Sequence, residues 1–102
     1  MSRRDSTYTV DAQSVQGNPG ATVTFRAVTV GERREYLDSP DVDNVVMLQR
    51  HVVSWTGIVG NDDRELPNPA DEPQAINALF MHEMNEMHRL LWLGPNGESP
   101  KN

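Results

Sequence analysis

The sequence predicts an α+β fold that is predominantly α-helical, with an N-terminal strand or hairpin followed by three helices, the C-terminal helix longest. Three observations lead there. Thr22-Val23-Thr24-Phe25-Arg26-Ala27 alternates polar with apolar residues, the period of a half-buried strand. Thr29-Val30-Gly31-Glu32 has the form of a capping box, and Asp71-Glu72-Pro73 that of a second strong helix start. Ile76, Leu79, Phe80, Met84, Met87, Leu90 and Leu91 then recur at spacings of three and four, one broad apolar helix face.

Taken in order, residues 1–20 are polar and end in the turn formers Gly17-Asn18-Pro19-Gly20, so this segment is expected to be flexible or partly strand-forming. Within it Tyr8, Val10 and Ala12 sit at spacing two and are a mate for the 22–27 strand. Residues 21–94 are expected to make a single small globular domain, and 95–102 a flexible tail. The helix begun by the Thr29 box runs through Leu37 and stops before Ser39-Pro40. A second helix starts after Pro40-Asp41 and carries Val45, Leu48, Val52 and Trp55 on one stripe. A strand over 51–59 is conceivable because Val45-Val46 and Val52-Val53 are β-branched, but Asn44, Gln49 and Arg50 favour an outer helix face. Residues 56–72, rich in Gly, Asn, Asp and Pro, form a surface loop. The longest helix spans about 73–93 and ends at Gly94-Pro95.

Composition narrows the class of function. Fifteen Asp and Glu against nine Lys and Arg give a net charge of −6, with a pI near 4.8 and a mean hydropathy of −0.62. That field repels phosphate backbones, so nucleic acid is not expected as a partner. With no cysteine there is neither a disulfide framework nor a thiolate metal site. No run approaches the roughly 18 apolar residues of a membrane span, and Met1-Ser2-Arg3-Arg4-Asp5 opens no signal peptide, so a cytoplasmic protein without membrane contact is expected.

Motifs for chemistry fail on spacing. In His82-Glu83-Met84-Asn85-Glu86-Met87-His88 the position four after His82 is Glu86, and His88 lies about 120° away round the helix, so no zinc pair forms and no metal is expected. Asn61-Asp62-Asp63-Arg64-Glu65 lacks the ligand alternation of a calcium loop. His51 and Ser54 lack a nucleophile elbow and read as neighbours on a helix surface. Gly57-Ile58-Val59-Gly60 is neither a phosphate loop nor a dinucleotide fingerprint. No enzyme and no cofactor are expected. Apolar surplus remains: Met81, Trp92 and Leu93 extend beyond the core stripe, and methionine suits surfaces that adapt to partners.

The strand Thr24-Phe25-Arg26-Ala27 entering Thr29-Val30-Gly31-Glu32-Arg33, the segment Val52-Val53-Ser54-Trp55-Thr56-Gly57, the loop with Leu66-Pro67, and the acidic Asp71-Glu72-Pro73 before a last helix resemble the tail assembly chaperones of long-tailed, siphovirus-type bacteriophages. The resemblance implies a non-enzymatic factor in the host cell cytoplasm that binds and solubilises the tape measure protein during tail assembly, with possible self-association. On that reading Val52, Trp55, Phe80, Met84, Met87 and Leu91 are the candidate protein-binding residues, shared between core and groove. Two alternatives stand beside it. An acidic inhibitor would gather Asp38, Asp41, Asp43, Asp62, Asp63 and Glu65 against a basic target. A structural head-to-tail joining protein would close into a ring.

Overall fold

In a computed structural model, which describes residues 6–95, the alternating segments form a β-hairpin: β1 (Thr7–Asp11) pairs antiparallel with β2 (Thr22–Arg26) in the register Tyr8 opposite Phe25 and Val10 opposite Val23. The first five residues and the tail beyond Pro95 lie outside the described residues. Period two places Val23 and Phe25 on the buried face. The opposite face is a hydroxyl surface, where Thr9 and Thr24 approach to 2.7 Å and Thr22 and Thr56 to 2.8 Å. Between the strands, α1 (Gln13–Gln16) ends at Gly17. Ala12 and Val15 are buried, so part of the 1–20 segment belongs to the core.

The Thr29 capping box is complete: its Oγ1 accepts from the Glu32 N–H at 3.1 Å, and its own N–H donates to Glu32 Oε1 at 2.9 Å. The helix it opens, α2 (Val30–Asp38), buries no residue fully. Asp43 caps α3 (Asn44–His51) by accepting from the Val46 N–H at 3.0 Å.

Here the fold departs from expectation. Over the described residues the fold is not predominantly helical but mixed, 44% helix and 19% strand. The second predicted helix ends at His51, and β3 (Val52–Thr56) joins the sheet in the order β1-β2-β3. Its register runs Val23 opposite Trp55, Thr24 opposite Ser54 and Phe25 opposite Val52, which leaves Val53 as an extra residue. This bulge puts Val52 and Trp55, three apart, on the same buried face. A bulged strand thus presents the spacing of a helical stripe.

The expected 73–93 helix is also two elements, a 3-10 helix (Pro73–Ala78) and α4 (Met81–Leu93). Leu79 and Phe80 between them are extended, with ψ of 148° and 157°. Glu83 stabilises the break by accepting from the Phe80 N–H at 2.7 Å; a phenyl ring has no acceptor to complete the reciprocal cap. Leu79 and Ile76 are thereby buried, while Phe80 stays out. α4 packs on α1 and α3, and α3 on β2 and β3, so the core lies between one sheet face and the helices. The loop after β3 is tied to it: the Trp55 indole N–H donates to the Leu66 carbonyl at 3.1 Å, and Ile58 is buried.

Candidate functional site

Five of the six expected binding residues are interior. Val52, Trp55, Met84, Met87 and Leu91 are all less than a tenth exposed, and only Phe80, at 53%, meets solvent. Sequence spacing brings them onto common faces, and the fold directs those faces inward. The exposed apolar residues lie elsewhere: Val30, Leu37, Met81 and Leu93 with Phe80.

An apolar groove of about 250 Å³ opens where the end of β2, the start of α2 and the end of α4 meet. Tyr8, Val28, Val30, Leu91 and Trp92 line it, with Arg33 at its side. Leu91 is the expected binding residue that this groove shares. Each wall has a local cause. The capping box starts α2 at Val30, which leaves that side chain in the first turn with nothing beneath it and 76% exposed. The Tyr8 hydroxyl donates to the Leu91 carbonyl at 3.3 Å, in the last turn of α4, where that carbonyl also accepts the Gly94 N–H at 3.3 Å. Burial raises the Tyr8 pKa, since it disfavours the phenolate.

Trp92 is held from three sides. The Arg33 guanidinium carbon sits 5.4 Å from its ring centroid, Tyr36 packs at 5.3 Å, and its indole N–H donates to His88 Nε2 at 2.8 Å. An indole nitrogen only donates, so His88 Nε2 is an acceptor and the imidazole is neutral. Burial pushes its pKa down in the same direction. This cluster escaped the sequence reading because Tyr36 and Trp92 come from elements far apart in the chain; only the His88/Trp92 spacing of four is visible there.

A second, more polar cleft of about 280 Å³ lies beside Phe80, with Gln16, Asn18, Val59, Asp63 and Glu83 around it. Gln16 acts there as a strand mimic: its Oε1 accepts from the Val59 N–H at 2.9 Å and its Nε2 donates to the Val59 carbonyl at 2.8 Å. Its polar groups are thus largely engaged.

The residues weighed for chemistry are dispersed. His82 stacks against Phe80 at 5.9 Å. Glu86 accepts from Arg89 at 2.6 and 2.9 Å and from Ser14 at 2.6 Å. The Arg89 bonds above all hold its carboxyl below the usual range, against an opposing effect of burial. No group of three metal-ligating side chains occurs among the described residues. His51 is not a surface residue but fully buried. Its Nδ1 lies 2.8 Å from the Met47 carbonyl, which can only accept, so that nitrogen carries a proton. Its Nε2 is 3.2 Å from Glu32 Oε1, within ion-pair distance but outside hydrogen-bond alignment. Glu32 is shifted below the usual carboxylate value, chiefly by the Thr29 N–H, with burial opposing and His51 adding. The pair joins α2 to α3.

Among the described residues no helix is long and apolar enough to cross a membrane. Comparison with protein-family models, curated proteins and solved structures finds no match to this chain.

Proposed function

We propose that this chain is a non-enzymatic binding protein that holds an apolar segment of a partner in the groove between α2 and α4, acting in the cytoplasm as a phage tail assembly chaperone on the tape measure protein. The observation that carries the reading is the groove itself: an apolar floor of Leu91 and Trp92, an exposed rim at Val30, and a flanking cation at Arg33. A helical partner inserts one or two apolar side chains there at moderate affinity, which suits a coat that must later give way. The acidic-inhibitor reading has less behind it, because several of its carboxylates serve locally. Asp43 caps α3, Asp62 pairs with Arg64 at 3.8 Å, and Glu65 accepts from the Gly57 N–H.

Co-expression with a tape measure protein tests the proposal, with Val30→Asp as the variant. Asp at the first helical position suits the helix dipole, so the fold should persist. Soluble partner should fall several-fold while binding by the unaltered chain survives high salt, since apolar burial is barely screened. Full activity of Val30→Asp, or binding that vanishes in salt, refutes it.

A further inference from the structure

The sheet has two unlike edges. Beside β3 the loop supplies partners: Asn68 Oδ1 accepts from the Trp55 N–H at 3.2 Å, and Glu65 from the Gly57 N–H at 3.3 Å. The β1 edge is bare. The bonds from Ala27 N–H to the Ser6 carbonyl at 2.7 Å and from Ala12 N–H to the Ala21 carbonyl at 2.8 Å set the phase of the ladder. Even-numbered residues of β1 therefore bond to β2, and Thr7, Thr9 and Asp11 turn their N–H and C=O groups outward. Among the described residues nothing pairs with those backbone groups, and all three residues are exposed. The edge has no Pro, Lys or bulge to discourage pairing; the sheet's irregularity lies between β2 and β3.

We propose that this edge is a dimerisation surface on which β1 pairs antiparallel with β1 of a second copy about a two-fold axis at Thr9. The outward groups are symmetric about that residue. Thr9 meets the partner's Thr9, and Thr7 meets the partner's Asp11, so no like charges stand opposite. The hydroxyl surface begun by Thr9 and Thr24 continues across the axis. Such a pairing closes on itself, because the two-fold uses both β1 edges and on each chain's other edge the loop already takes the Trp55 N–H. A five-residue strand makes a small interface, which implies a weak dimer. Since each chain carries −6, association strengthens as salt screens the repulsion.

Three cysteine substitutions test the register. The chain lacks cysteine, so Thr9→Cys makes only intermolecular disulfides. Directly opposed Cα atoms at a hydrogen-bonded pair lie about 5.5 Å apart, within disulfide reach, so mild oxidation should link Thr9→Cys at least about tenfold faster than Thr7→Cys. Mixing Thr7→Cys with Asp11→Cys should restore the fast link. Thr9→Pro removes an outward N–H and the hydroxyl contact with Thr24 but no bond of the β1-β2 ladder, and it should give a folded monomer by sedimentation velocity, where the unaltered chain dimerises at high concentration and salt. Equal linking rates at positions 7 and 9, a strict monomer under those conditions, larger rings, or a dimer that survives Thr9→Pro each overturn the proposal.

Discussion

Met87→Ala separates core from interface most sharply, because the sequence offers Met87 as a binding residue and the fold leaves it 0% exposed. Burying a methionine side chain contributes about 1.5–3 kcal/mol of transfer free energy, and the cavity left by truncation brings the cost to roughly 2–5 kcal/mol. A domain of this size has about 5–15 kcal/mol in all, so at mid-range roughly a third of the stability goes. At about 4–8 °C per kcal/mol the melting temperature should fall by roughly 8–40 °C. Differential scanning calorimetry reads this directly, and chemical denaturation should show a lower midpoint at unchanged slope. Partner binding well below the new melting point should be nearly intact. A shift of only a degree or two together with lost binding would show that Met87 faces a partner, and the division into core and groove would be wrong.

Deleting residues 1–20 removes β1 together with buried Ala12 and Val15, and should abolish the cooperative melt, seen as collapsed amide dispersion in an NMR spectrum. Gly57 has φ of +73°, and a Cβ there would stand 3.0 Å from the Ala21 Cα, whereas one at Gly17, with φ of +81°, meets nothing within 4 Å. Gly57→Ala should therefore cost clearly more than the roughly 1 kcal/mol of backbone strain that Gly17→Ala carries, and equal costs by urea titration would refute the contact. The pKa shifts of His88 and Glu32 are both downward, so their stabilisation is present above the unfolded values and lost as pH falls through the folded ones. Acidification below about pH 6.5 should first perturb Trp92 fluorescence as His88 takes a proton, and a second loss of stability below about pH 4.5 should be blunted in Glu32→Gln. Tyr8 is shifted upward, so its contribution holds below about pH 10 and is lost at higher pH; Tyr8→Phe should weaken that alkaline loss.

Local signals carried the hairpin strands, the Thr29 capping box, the end of α2 at Ser39-Pro40 and the apolar stripe Met84, Met87, Leu91. Each rests on neighbours within a few residues, where alternation, reciprocal capping and helical spacing act directly. What sequence spacing alone could not decide was the direction in which an apolar stripe points. Val52 and Trp55 have helical spacing but belong to a bulged strand, because β2 lies some thirty residues upstream and its free edge offers a backbone ladder that no local window contains. The 73–93 stripe breaks at Leu79 and Phe80, where Glu83 takes the Phe80 N–H and the turn swings Leu79 into the core. The groove is legible only in three dimensions, since Tyr8, Val30 and Trp92 come from separate elements. Composition and periodicity determined which residues tend to leave water; tertiary pairing decided which of them meet one another and which, like Val30 and Phe80, stay exposed, because burial depends on contacts made across the chain.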